Sequence, residues 1–283
     1  MRMSISPTAL VIFLGVAPFV VAQNSASLST NGLFYELSGE GSPIVLIHGT
    51  NLDSRLWDGD MDWLRKEGKV LRYDLKGQGK SPLPTERYAN HEDLIALLRE
   101  LNLEGATLVG LSAGAQVALD VALDAPELVN RLVLVSPSLD RFTPKVMPPY
   151  LADLVKALRA KNFDEANEIL LASSLFAVPD EHKELVRAMA EKNATIWEIP
   201  YSLVKMASPV AVKRLEHVKP PTLVLVGNKD MEAVHEIAAL LETQIPTVSR
   251  INIPNGGHLL NLTSPDEFRR TIADFIKNST VSK

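Results

Sequence analysis

Six short, unbroken apolar runs constrain this chain more than any other feature: residues 44–48, 70–73, 106–110, 132–136, 222–227 and 250–254. Each is rich in Val, Ile and Leu and bounded by Gly, Pro or Asp. A run without polar alternation suits a strand covered on both faces, as in a parallel sheet. Helical-period patterns separate the runs, at 54–67, 91–101, 113–123, 233–243 and 265–276. Strands alternating with helices predict the α/β class, with a doubly wound, mostly parallel sheet. Ahead of it, Asn31-Gly32 between two apolar stretches predicts a hairpin, because Asn-Gly suits a turn with positive φ.

One connection breaks the rhythm. Between Ser136 and Thr222 lie about 85 residues without a strand pattern. Residues 150–159, 164–172 and 180–190 read there as amphipathic helices, and prolines at 144–149 and 220–221 bound the stretch. Insertions at the C-terminal end of a strand are where such sheets place lids over ligand sites. The expected organisation is a core of 23–137 and 215–283 with a helical cap over 138–214. Leu151, Leu154, Val155 and Leu158 are expected to face the sheet.

The first residues read as an address. Arg2 precedes an apolar stretch over 9–22, broken by Gly15 and Pro18 and ending in Val20-Val21-Ala22. Fourteen residues at about 1.5 Å each fall short of roughly 30 Å of hydrocarbon, so the segment predicts a cleavable signal over 1–22, cut after Ala22, with an uncleaved N-terminal anchor as the alternative. The mature protein is then expected to be secreted or periplasmic, with no stable membrane span.

Composition excludes several chemistries. Zero cysteines remove disulfides, thiolate zinc sites, iron–sulfur clusters and a cysteine nucleophile. A net charge of −5, with no basic block, argues against nucleic acid as partner. Three Asn-x-Ser/Thr triplets begin at Asn193, Asn261 and Asn278; such patterns matter only in a eukaryotic secretory host.

Gly110-Leu111-Ser112-Ala113-Gly114 follows an apolar run directly and opens a helical pattern. That is the strand–turn–helix context of a G-x-S-x-G nucleophile elbow, where small residues two before and two after Ser112 allow a sharp turn. A serine needs a base and an orienting acid. His258, in Asn255-Gly256-Gly257-His258, sits after the last apolar run and before the final helix. Asp230 lies just past the run 222–227, giving the chain order Ser112, Asp230, His258 expected of this elbow. Asp140 is an alternative acid. His48 and Asp74 end strands too, but their His48-Gly49 and Gly77-Gln78-Gly79 settings suit turn shaping and local capping. His91, His182, His217 and His235 read as surface or satisfied residues, and Asn261 as structural. The backbone N–H groups of Ala113 and Thr50 are expected to stabilise an oxyanion, each worth roughly 3–4 kcal/mol.

These residues together resemble the α/β-hydrolase superfamily, along nearly the whole mature chain: His48-Gly49, Tyr73-Asp74 with Gly77-Gln78-Gly79-Lys80-Ser81, the elbow, Gly227 to Asp230, and Gly257-His258. Leu52-Asp53-Ser54-Arg55-Leu56-Trp57-Asp58 resembles the small esterase, perhydrolase and enol-lactonase branches. The resemblance implies hydrolysis through an acyl-enzyme without cofactor or metal, with Ser112 as nucleophile, His258 as base, Asp230 as acid, and Thr50 and Ala113 as oxyanion donors. Gln78 stands where a histidine is common, Ala115 where a second glycine is, and Thr50 where some esterases carry an aromatic. A serine in the elbow separates the chain from the dehalogenase and epoxide hydrolase branches, which attack with aspartate.

The expected activity is cleavage of a small ester or lactone. Two alternatives stand beside it: hydrolysis of a carbon–carbon bond in a β-diketone-like substrate, and ligand binding without catalysis on the same fold. Turnover of esters against vinylogous diketones separates the first, and covalent labelling of Ser112 the second.

Overall fold

In the computed structural model, which describes residues 25–278, strands β1 (Ser25–Leu28) and β2 (Phe34–Ser38) form the hairpin around Asn31-Gly32. The chain continues through β3 (Pro43–Ile47), α1 (Met61–Glu67), β4 (Lys69–Tyr73), α2 (Asn90–Glu100), β5 (Ala106–Leu111), α3 (Ala113–Asp124) and β6 (Val129–Val135). Helices α4 (Leu151–Arg159), α5 (Phe163–Ala172) and α6 (Asp180–Lys192) precede β7 (Thr222–Gly227). Then come α7 (Glu232–Gln244), β8 (Val248–Ile253), α8 (Leu260–Thr263) and α9 (Pro265–Asn278). The predicted signal over 1–22 lies outside the described residues.

The eight strands form one sheet in the order β1-β2-β4-β3-β5-β6-β7-β8. β1–β2 and β2–β4 pair antiparallel, and every pair from β4–β3 to β7–β8 is parallel. The apolar runs show no alternation because both faces are covered. Along β3, Val45 and Ile47 enter a core shared with α2, α3 and α7, while Ile44 and Leu46 enter one shared with α1, α9 and the helices α4–α6. Each such side chain, fully buried, contributes about 1.5–3 kcal/mol. Since β4 lies on one side of β3 and β5 on the other, the sheet has a switch point there, and the loops after β3 and β5 flank a crevice.

Four expectations change. The pattern over 54–67 divides into a 3-10 segment, Ser54–Asp60, capped by the Asp53 side chain, and α1. Asp58, Gly59 and Asp60 are weak helix formers, which accounts for the break. β6 begins at Val129, where the polar Asn130 and Arg131 hide its start, and its pairing with β5 shifts register beside Ala106. β8 is an edge strand with Ile251 41% exposed, because it has a neighbour on one side only. Val155 points outward; Leu154 is buried, and Leu151 and Leu158 pack partly against the core. Among the described residues, no helix is long and apolar enough to cross a membrane.

Candidate active site

Ser112 joins β5 to α3 with φ +56° and ψ −115°. Non-glycine residues avoid this region at a cost of order 1–3 kcal/mol, and they hold it only where surroundings over-determine it. Here the surroundings do. Ser112 N–H donates to the carbonyl of Val135 on the neighbouring strand at 2.9 Å. Its carbonyl accepts from Ala115 N–H at 2.9 Å and from the Ser138 hydroxyl at 3.1 Å. The turn needs bare backbone on both sides: a Cβ on Gly110 would meet the Gly114 carbonyl at 2.2 Å, and one on Gly114 the Ile47 carbonyl at 2.2 Å.

The loop after β3 lies against this turn, Gly49 approaching so closely that a Cβ there would stand 3.3 Å from Ser112 Cβ. Thr50 is exposed on the loop, and Ala113 is half-buried at the start of α3. The first N–H groups of a helix have no intrahelical partner, so the start of α3 favours an anion. Behind the loop, His48 is fully buried: its Nε2 accepts from Leu75 N–H at 3.0 Å and its Nδ1 donates to the Gly49 carbonyl at 2.8 Å. Burial lowers its pKa, with Asp74 opposing. Both ring nitrogens are occupied, so His48 shapes the turn. Asp74 does the same nearby, accepting from Ser54 N–H and Lys80 N–H at 2.8 Å each.

Asp230 and His258 meet across the ends of β7 and β8. His258 Nδ1 lies 2.9 Å from Asp230 Oδ1 and 3.1 Å from Oδ2, with the two side chains 3% and 0% exposed. Met231 N–H also donates to Oδ1, at 2.8 Å. Burial pushes the Asp230 carboxyl upward, but the His258 charge and hydrogen bond, together with Ser136 and the Met231 N–H, outweigh it and hold the pKa below the ordinary value. The glycines of this loop serve close approach: a Cβ on Gly227 would stand 2.3 Å from the Gly256 carbonyl. That contact lets the two strand ends draw together.

A carboxylate at Nδ1 fixes that nitrogen as the donor and leaves Nε2 unprotonated in the neutral ring. His258 Nε2 is buried and makes no hydrogen bond, with Ser112 or any other residue. Catalytic hydrogen bonds are often long before substrate binds. The geometry thus unites the predicted acid and base, and sets the predicted nucleophile in its strained turn after β5, two strands from β7 at the same C-terminal edge of the sheet. Asp140 does not partner His258. It is a half-buried carboxyl, raised in pKa by burial, whose own N–H is bonded to Gln116 Oε1 at 2.7 Å.

The remaining histidines are accounted for elsewhere, with His91 Nε2 3.2 Å from Asp124 and His235 beside Arg250. Asn261 donates to the Leu56 carbonyl at 2.8 Å and to Asp60 at 3.1 Å, and Asn193 to Asp53 at 3.1 Å. Both asparagines are buried, so those two glycosylation triplets are closed in the folded chain.

Sequence reasoning missed Asn167. Its Oδ1 accepts from the side chain of Asn51 at 3.2 Å, tying α5 to the residue that follows Thr50. The signal was an asparagine on the buried stripe of α5, beside Ala166 and one turn before Leu170.

Residues 44–271 match the model of the alpha/beta hydrolase family. The pimeloyl-[acyl-carrier protein] methyl ester esterase of Methylococcus capsulatus is 29% identical, over 88% of this chain and all of its own length. The AB hydrolase superfamily protein YisY of Bacillus subtilis is 28% identical, over 86% of this chain and 94% of its own. The enol-lactonase of Burkholderia xenovorans superimposes with a TM-score of 0.71 at 22% identity, covering 86% of this chain and 96% of that one, a likeness of fold. The family match spans most of the chain and accords with the mostly parallel sheet, so the chain belongs to the alpha/beta hydrolase family and is a hydrolase.

Proposed function

We propose that this protein is a serine hydrolase cleaving a small ester-like substrate, a carboxylesterase or lactonase, after export to the periplasm or medium. The observation that carries the reading is the strained Ser112 turn at the same edge of the sheet as a buried Asp230–His258 pair whose Nε2 is uncommitted. His258 takes the Ser112 proton as its oxygen attacks the carbonyl carbon. Backbone N–H groups of Ala113 and Thr50 receive the oxyanion. The alcohol leaves with the proton from His258, and water then repeats the sequence on the acyl-enzyme, returning Ser112. The esterase named among the relatives supports an ester bond over a carbon–carbon bond.

The test is intact-mass and peptide mapping after exposure to a fluorophosphonate. One adduct on Ser112, absent in Ser112→Ala and strongly slowed in His258→Ala, is expected. Folded protein that stays unlabelled, or full ester turnover by Ser112→Ala, refutes the reading.

A further inference from the structure

We propose that Ser136, at the end of β6, is a positioning residue: its hydroxyl donates to the Asp230 carboxylate and fixes the orientation in which that acid holds His258. The inference rests on the roles of Ser112, Asp230 and His258 proposed above and adds a fourth side chain to them.

Ser136 stands between the two halves of the site. Strand β6 lies between β5, which ends at the Ser112 turn, and β7, which leads to Asp230. One residue earlier, the Val135 carbonyl accepts from Ser112 N–H at 2.9 Å. Ser136 donates its own N–H to the Leu225 carbonyl at 2.7 Å, just past the last paired position of β6 and β7, Val135 with Leu225. Two residues later, Ser138 returns to the Ser112 carbonyl through its N–H at 3.3 Å and its hydroxyl at 3.1 Å. The segment is thus bonded to the elbow on one side and to the strand of the acid on the other.

Its conformation is unfavourable for serine. Ser136 holds φ +45°, in the left-handed region, directly before Pro137. A residue with a side chain is strained there, the following proline narrows its choices further, and glycine would take the turn freely. What serine adds over glycine is a hydroxyl on a Cβ held in one place. Ser136 is fully buried, and its Oγ meets no acceptor at full hydrogen-bond geometry. A buried hydroxyl without an acceptor is costly, and rotation about its C–O bond is enough to redirect the proton.

The acceptor is the acid. Asp230 Oδ1 takes His258 Nδ1 at 2.9 Å and Met231 N–H at 2.8 Å, whereas Oδ2 has the longer His258 contact, 3.1 Å. An ionised carboxylate offers about four acceptor sites, and this one is 0% exposed, so water does not fill them. The Ser136 side chain stands near enough to help hold the Asp230 carboxyl below its ordinary range. Donors converging on Oδ1 leave the carboxylate free to pivot about that oxygen. A hydroxyl proton on Oδ2 stops the pivot and keeps the imidazole aimed.

The test compares full-length wild type with Ser136→Ala, Ser136→Gly and Ser138→Ala. The proton between His258 Nδ1 and Asp230 gives a low-field NMR resonance that is readable whether or not the chain turns over esters. It should move and exchange faster in both Ser136 variants, and stay in place in Ser138→Ala. On p-nitrophenyl acetate, both Ser136 variants should lose about tenfold in kcat with KM little changed. Ser136→Gly relieves the backbone, so it should unfold at higher urea than Ser136→Ala and yet be equally slow; it carries the test if Ser136→Ala does not fold. Wild type that neither labels at Ser112 nor turns over esters would defeat the esterase reading, and the resonance alone would then decide the role of Ser136. A resonance unmoved in the Ser136 variants, one moved as far in Ser138→Ala, or a kcat that recovers with stability in Ser136→Gly would overturn the proposal.

Discussion

Asp120 and Ser112 sit on the same short stretch of chain, yet only one of them was legible. Ser112 advertises itself through its glycines and its place between an apolar run and a helical pattern. Asp120 reads in the sequence as an ordinary polar residue on a helix, yet it is buried, on a face of α3 that shares a cavity with residues from 201–207. Its carboxyl, raised to about 7, makes a stability prediction whose sign is fixed. Between about pH 4 and pH 7 the unfolded chain has released this proton and the folded chain still holds it, so folding stability falls as pH rises. Above pH 7 the loss is complete, and it amounts to a few kcal/mol. Asp120→Asn keeps an oxygen for the Gln116 donor and does not titrate. Its stability relative to wild type should therefore climb between pH 5 and pH 8, read as urea midpoints in a pH series. A difference that stays flat would mean that the carboxyl titrates normally.

At the scale of elements, the strands were legible as unbroken apolar runs and the helices by their period, and the errors have two causes. β8 and the start of β6 have residues facing solvent, Ile251 and Asn130 among them, so the apolar pattern overstated the burial of one and missed the start of the other. The helix read over 54–67 hid a 3-10 segment because periodicity cannot tell 3.0 from 3.6 residues per turn across a few residues. The elbow itself is an element whose tolerance follows from distance. Gly110→Ala would place a Cβ 2.2 Å from the Gly114 carbonyl, backbone that cannot move without shifting β5 against α3. A cost of about 1–3 kcal/mol is expected from such overpacking. Gly59 offers the internal control: a Cβ there meets nothing within 4 Å, and its φ lies outside the left-handed region. Gly59→Ala should gain about 0.4–1 kcal/mol by restricting the unfolded chain. Urea unfolding of the two variants side by side decides it, and similar midpoints would show that the elbow is looser than its contacts imply.

For the whole molecule, the question is how α4–α6 are fastened to the sheet. Apolar contacts join them, through Leu154, Leu170, Phe176 and Met189 in one core with Val133 and Leu111. Two buried asparagines add direction. Asn193 holds Asp53 and accepts from Gly79 N–H at 2.6 Å, while Asn167 holds Asn51. No local pattern reveals such ties, since each joins residues more than 100 positions apart. They differ in what they touch. Asn51 stands at φ +59°, fully buried, and follows Thr50 directly, so its side chain sets the path of the loop that offers the proposed second oxyanion donor. Asn193 reaches the loops at Asp53 and Gly79 instead. Asn167→Leu and Asn193→Ala should each cost about 1–3 kcal/mol, because each strands buried polar partners. Only Asn167→Leu is expected to lower kcat, by roughly tenfold with KM little changed, since a displaced donor is felt in the transition state. Asn167→Asp keeps the accepting oxygen and should restore much of the rate. Steady-state kinetics on p-nitrophenyl acetate, with urea midpoints for the same three variants, separates the outcomes. Equal kcat in Asn167→Leu and Asn193→Ala would reduce the Asn167–Asn51 bond to a fastening and leave the Thr50 loop holding its own shape.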